Sequence, residues 1–285
     1  MLLQAIVNGL LFGAVYALIG IGFTLVWGVM NIINVAHGAL IVVGAYLSFA
    51  LFAMYGIDPF LSIPGIMAAL FLFGYCVQKY LLNLVVRGSV FITLTFTFGL
   101  MIIVQNGCLL IWGADYRSVR LAYSAAAFEI GDIVVPYVRL GIFAVALLLT
   151  FFFYVFMRST KTGIAISATA LNIDGARTVG IDVAKTYAMT FGVSAALAGA
   201  AGALFSPIMS IGPFLGNELI GRAFVIAVLG GLGSTVGALL GGILLGLVET
   251  VGTIYLPTSF QELLGFIVLV VVLLVRPTGL LGRRQ

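Results

Sequence analysis

The sequence predicts an all-α polytopic membrane protein, and three observations carry that reading. The 285-residue chain is 63% hydrophobic and only 8% charged, with a mean hydropathy of +1.27, whereas soluble domains carry about 25% charged residues. No charged side chain occurs before Asp58. As one helix those residues would measure about 85 Å against a hydrocarbon core of about 30 Å, so the chain must turn back within them. The remaining polar residues gather into short stretches between apolar runs of spanning length. The expectation is one transmembrane domain over 1–285 with about eight transmembrane segments. Among them is a short interrupted or re-entrant helical hairpin near 218–250, and a surface helix over about 163–180 joins two of the spans.

The elements follow in order. Leu2–Trp27 is the first span. No basic region precedes it and no cleavage site follows, so it reads as a retained span and not a signal peptide. Asn31, Asn34 and His37 lie in the break GVMNIINVAHG before the second span, Ala36–Tyr55. Pro59–Gln78 is the third span and Gly88–Ala114, rich in Thr and Phe, is the fourth. A polar segment from Asp115 to Arg139 leads to the fifth, Leu140–Met157.

Arg158–Lys185 then separates the fifth span from the sixth, Thr186–Ser206. Gly163 opens and Gly180 closes a run whose Ala165, Ala168, Ala170, Leu171 and Ala176 favour helix. This predicts a short helix at the membrane surface, placed to receive a push from a partner in the water. An ordinary solvated loop is the alternative. Ala223–Val248 is uncharged but broken at Gly230, Gly231, Gly233 and Ser234, where tandem glycines interrupt a helix. The arms on either side are expected to be about 13 to 15 residues, short for a span. Broken helices at membrane depth are tolerated where they line a cavity or are buried in protein. The other reading of these glycines is close helix packing, with Gly237 and Gly241 at small-xxx-small spacing. The last span is Leu263–Val275, extended back towards Thr258 and ended by Arg276-Pro277. A faint internal echo pairs HGALIVVGA with TVGALLGGI, each placed after a long span and a break.

Charge orients this layout. The Lys79/Arg87 loop, the 158–185 stretch and the tail with Arg276, Arg283 and Arg284 hold nine of the thirteen Lys and Arg and two of the nine acids. By the positive-inside rule that side is cytoplasmic, which puts the N-terminus outside and the C-terminus inside, and requires Ala223–Val248 to start and finish outside.

Several chemistries are absent. His37 is the only histidine and cannot build a metal site alone. Cys76 and Cys108 suggest neither a metal site nor a disulfide framework. No GxxxxGK[ST] phosphate loop occurs, so the chain is not expected to hydrolyse ATP or to bind a cofactor itself. No nucleophile–base pair points to an enzyme. No charge is read deep in the apolar runs, which argues against a proton relay, and Glu249 is taken as an interfacial residue at a helix end. The +4 net charge is an orientation signal and implies no nucleic-acid partner.

Three segments, Asn8–Gly38, Gly163–Lys185 and Phe224–Glu249, together with the tail Val275–Gly282, resemble the permease subunits of branched-chain amino-acid ABC importers, the LivH type. The resemblance runs over nearly the whole length. It implies a multi-pass permease of the bacterial inner membrane. The implied partners are a second related permease, two cytoplasmic ATPase subunits that bind ATP and Mg, and a periplasmic substrate-binding protein. The stretch around Gly163–Gly180 is then the coupling helix in a groove of the ATPase, with Gly163, Ala168, Asn172, Asp174, Ala176, Arg177, Gly180 and Asp182 at or beside the contact.

The chain departs from the pattern at Ile164 and Ser167, where the family usually has Arg, at Leu171, where it has an acidic or amide residue, and at Ala39, where it often has Glu. A less ionic, more apolar ATPase contact is expected. Asn31, Asn34 and His37 are the candidate substrate-path residues, helped by backbone donors at the start of the second span. Capping of that span is the alternative role. Sister permeases that import urea or short amides share similar motifs, and a self-sufficient channel is the rival from another class.

Overall fold

The computed structural model describes residues 1–86, 89–124, 126–131, 133–257 and 260–281. Arg87, Gly88, Asp132, Thr258, Gly282, Arg283 and Arg284, on which parts of the span and charge reading rest, lie outside them.

The chain is helical with one small hairpin. Helix α1 (Leu2–Met30) is apolar all round from Leu10 onward, and over Leu11–Val26 nearly every residue is buried, as such a helix must be. It is followed by α2 (His37–Tyr55) and α3 (Pro59–Val77). Asp58 starts α3 by accepting from the Phe60 N–H at 2.9 Å, with Pro59 at the first helical position. A π-helical turn at Gln78–Leu82 carries α3 into α4 (Asn83–Val85), so the third span runs past its expected end at Gln78. Next come α5 (Val90–Trp112), strands β1 (Ala127–Ile130) and β2 (Ile133–Pro136) paired antiparallel, and α6 (Tyr137–Ser159). The second half holds α7 (Lys161–Leu171), α8 (Ile173–Thr178), α9 (Val183–Phe205), α10 (Leu215–Gly230), α11 (Thr235–Tyr255) and α12 (Gln261–Val275). Among the described residues seven stretches are long and apolar enough to cross a membrane: α1, α2, α3–α4, α5, α6, α9 and α11.

Helix α1 is the axis of the bundle. It packs against α11, α9, α10 and α6, while α2 and α3 close over the other side of α9. Glycine makes the α1–α11 seam possible. A Cβ on Gly9 would stand 2.8 Å from the Leu247 Cα, one on Gly13 2.7 Å from the Ile243 Cα, and one on Gly246 2.7 Å from the Gly13 Cα. No side chain fits there, so the two backbones touch. Helices α5, α6 and α12 instead expose apolar faces, such as Phe91, Ile103, Phe151 and Leu274, of the kind lipid covers.

The hairpin near 218–250 differs from expectation. Its arms, α10 and α11, have 16 and 21 residues, and α11 at about 31 Å is long enough to cross. Glu218 and Arg222 lie within α10, and Glu249, expected at an interfacial helix end, is buried within α11. The 163–180 segment also differs, being two helices and not one. The chain breaks at Asn172, whose extended backbone (φ −158°, ψ 109°) lets its side chain accept from the Gly175 N–H at 2.9 Å and cap α8.

Contacts sort the two ends of the bundle. At one end Gln4 exchanges two hydrogen bonds with Val134 of β2, and Arg139 donates to Asn8. At the other, the end of α1 meets the α10–α11 turn, where a Cβ on Gly28 would stand 2.7 Å from the Gly233 Cα. The tail returns to the same turn, with Leu280 N donating to Leu229 O and Leu281 N to Gly230 O. The Gly231–Ser234 turn therefore reaches the face that holds the tail.

Candidate functional site

Two chain breaks and one buried charge cluster concentrate the polarity of the interior. The first break follows α1. Asn31 takes a left-handed conformation (φ 53°) as the C-cap of α1, its N–H bonding Trp27 O, and it is exposed. Residues 32–36 then fold back inward, and α2 starts at His37 beside Ile19, eleven residues and about 16 Å of helix before the end of α1. Thr97 of α5 donates to Ile33 O and holds this return.

His37 is fully buried. Its Nε2 lies 3.1 Å from Ile19 O, a contact that requires the proton there, and its Nδ1 is 3.4 Å from Ser194 Oγ, which itself donates to Gly22 O. The ring fills the space left by Gly22, where a Cβ would meet its Cε1 at 2.8 Å. His37 thus braces α1, α2 and α9 through the Nε2–H bond and the packing of its ring, with Nδ1 facing the Ser194 oxygen. Asn34 is equally buried, but neither its Oδ1 nor its Nδ2 has a partner. No side chain caps α2. The three nominated residues therefore separate into an exposed cap, an unmet buried amide and a packed brace.

The second break, 206–214, leads into α10. Gly216 in its first turn meets Gly38 backbone to backbone, where a Cβ would stand 2.8 Å from Gly38 C. The two helices that follow breaks thus start against each other. The expected echo of HGALIVVGA in TVGALLGGI is misplaced, because the helix that meets α2 after the second break is α10. Next to this contact Gln105 of α5 donates to Asn217 Oδ1 at 2.7 Å.

The charge cluster was not anticipated. Glu249 is 2% exposed, and it accepts from Arg222 Nε at 3.0 Å and from the Tyr16 hydroxyl at 2.8 Å. The guanidinium lies over the Tyr16 ring, 5.7 Å from its centroid. Glu218 and Glu262 approach Arg222 at 3.8 and 3.9 Å, beyond hydrogen-bond distance. Arg222 and Glu249 form the floor of a cavity of about 160 Å³ walled by Gly221, Val225, Leu245, Gly265 and Phe266. A signal was present in the sequence: Glu218 and Arg222 stand four apart, a helical pair, and Glu249 is followed by more apolar residues. Ionisable residues inside a membrane protein mark function by default, and Glu249 is such a residue and not the interfacial one expected.

At the opposite end, α7 packs on α6, α9 and α1. Gly163 lies inside α7, not at its start, and leaves no room for a Cβ against Phe156 and Met157. Ile166, Thr169 and Ala176 are buried, Ala168 half-buried. Ile164, Leu171 and Val179 point outward, 56%, 76% and 74% exposed, so the apolar residues at the departing positions Ile164 and Leu171 lie on the surface. Polar side chains here have local tasks. Asn172 caps α8, Asp182 caps α9 by accepting from Lys185 N, and Asp174 pairs with Arg177 at 3.1 Å. Gly180 has φ +83°, a turn conformation that favours glycine. In the α10–α11 turn Gly231 and Gly233 also have positive φ, Gly230 ends α10, and Ser234 caps α11 through the Gly237 N–H. Gly237 and Gly241 press α11 onto α10, which is the packing role.

Residues 5–273 match the profile of a family described as branched-chain amino acid transport system / permease component. The chain is 34% identical to the high-affinity branched-chain amino acid transport system permease protein BraD of Pseudomonas aeruginosa, over 99% of this chain and 96% of that protein. It is equally similar, at 34% identity and the same coverage, to the permease protein LivH of the corresponding systems of Salmonella typhimurium and Escherichia coli. No solved structure matches it significantly. The chain belongs to the branched-chain amino acid transport permease family.

Proposed function

We propose that this chain is the membrane permease subunit of an ATP-driven importer of branched-chain or related amino acids. The observation that carries this is similarity along the whole permease, from residue 5 to 273, with no large part of either relative left unmatched. The paired breaks support it physically. Two interrupted segments that meet at Gly38 and Gly216 resemble the arrangement by which transporters place a site where two halves of the fold join.

In this reading the chain works with a second permease, a pair of cytoplasmic ATPases that bind ATP and Mg, and a substrate-binding protein outside. The tail end of the bundle faces the cytoplasm and the β-hairpin end faces the periplasm. Helices α7 and α8 are the coupling element. Burial of Gly163, Ile166 and Thr169 fixes them to the ends of α6 and α9, and the outward Ile164, Leu171 and Val179 offer the ATPase an apolar face. Movement of the ATPase pair then reaches two spans without an intervening flexible loop. Asn34 is the one retained path residue, since its unmet amide can take hydrogen bonds when the helices part. His37 keeps its bracing role.

Replacing 161–180 by a flexible linker in the co-expressed complex tests the coupling. Loss of ATPase co-purification, with the permease pair intact, is expected. A complex that keeps its ATPases would refute the assignment.

A further inference from the structure

We infer that the cavity between α10, α11 and α12 is a binding site for an α-amino acid zwitterion with an aliphatic side chain, a site on the path of the importer proposed above and resting on that reading. The cavity is electrostatically incomplete in two opposite ways. Arg222, 9% exposed, spends its Nε on Glu249, and its Nη1 is buried without a hydrogen-bond partner. That nitrogen is enclosed 3.8 Å from Glu218, and the guanidinium, which lines the cavity with its charge only partly met by hydrogen bonds, is a cation an anion in the cavity can pair with. At the mouth, Glu218 and Glu262 have side chains 54% and 48% exposed. They are held near the same guanidinium, too far to bond it. One cation faces three carboxylates here, so the site as a whole attracts positive charge.

A simple anion would pair with the guanidinium and be repelled by the rim. A simple cation would satisfy the rim and leave the guanidinium unmatched. A zwitterion meets both demands, its carboxylate on the cavity face of the Arg222 guanidinium and its ammonium between Glu218 and Glu262. Asn217, whose Oδ1 accepts from Gln105, lines the same cavity. The other walls, Val225, Leu245 and Phe266 with Gly221 and Gly265 between them, are apolar and suit an aliphatic side chain. The volume of about 160 Å³ is close to that of a cavity of roughly 150 Å³ known to hold benzene, so a six-carbon molecule is the right scale.

Gly221 gives a direct probe, since a Cβ there would meet only Phe266 Cζ at 3.8 Å. The complete importer is reconstituted with Gly221→Cys in a Cys76→Ala/Cys108→Ala background, and the rate of N-ethylmaleimide modification is measured without ATP. At ten times its dissociation constant, L-leucine should fill about nine-tenths of the sites and slow modification about tenfold. Isoamylamine and 4-methylpentanoate, each carrying one of the two charges, should protect far less. Glu218→Gln/Glu262→Gln should abolish the protection while the complex still assembles. Val225→Cys offers the same readout if Gly221→Cys disturbs assembly. Leucine uptake driven by ATP is followed in the same preparation. Uptake without protection overturns the site and leaves the transport reading standing; neither uptake nor protection overturns both. Equal protection by isoamylamine also overturns the site, since it would then hold a plain cation.

Discussion

Two buried polar centres lie along α1, and they are built to opposite rules. Around His37 the ring N–H is bonded to Ile19 O, Gly22 makes room for the ring, and the surrounding surface is closed. Around Arg222 the Tyr16–Glu249 floor is bonded, but one guanidinium nitrogen has no hydrogen-bond partner and two carboxylates stand off at a mouth that reaches the surface. A bonded donor in a closed, tightly packed site is what a brace needs, because any later change costs energy. Incomplete bonding beside a cavity is what a ligand site needs, because the ligand can complete it. The lone histidine drew attention on residue type, yet the arginine cluster has the geometry of a site.

The largest expected effect comes from the floor of that cluster. Glu249→Ala leaves the Arg222 charge buried and unpaired and should destabilise the permease by about 3–5 kcal/mol, read as a lowered midpoint of thermal unfolding in detergent. Glu249→Leu combined with Arg222→Met should recover most of that stability, since an apolar pair of similar volume avoids the desolvation cost, while transport stays low. If the double variant transports normally, the cluster is structural and the contrast with His37 disappears.

His37→Ala should cost about 2–3 kcal/mol through the lost hydrogen bond to Ile19 and the cavity left at Gly22. Transport per assembled complex should be unchanged, and a fall in transport with full assembly would move His37 back onto the path. Asn34→Leu should act in the other direction. It removes two buried polar atoms that lack partners and should raise stability by about 1 kcal/mol in the same unfolding assay, with transport reduced if the amide serves the path.

The smallest effect lies outside the membrane, where the Tyr123 hydroxyl donates to Asp58. Burial, then the hydrogen bond and charge of Asp58, raise the Tyr123 pKa above its usual 10.0. A raised folded pKa means the contribution is complete below pH 10 and is lost as pH climbs above it. Thermal stability should therefore fall slightly above pH 10, and Tyr123→Phe should flatten that part of the profile.

Much of the fold was legible because membranes punish exposed backbone and buried charge, so uncharged runs such as those in α1, α6 and α9 announce themselves. The same rule misled the reading of α10 and α11. Glu218, Arg222 and Glu249 satisfy one another across helices, and pairing between distant residues leaves no trace in a hydropathy count. The split between α7 and α8 depends on one cap at Asn172, a residue that local composition assigned to the helix. The surface position of Ile164 and Leu171 could be anticipated from family departures. The bracing of His37 could not, because its partners Ile19 and Ser194 are 18 and 157 residues away in the chain.

Proteoliposomes bearing the complete complex, with ATP on the ATPase side and leucine-loaded binding protein on the other, test the transport reading most directly. Leucine should accumulate only when ATP and the binding protein are both present, and this chain alone should pass none. Accumulation that ignores ATP, or passage through the chain by itself, would contradict the account and make the protein a facilitator.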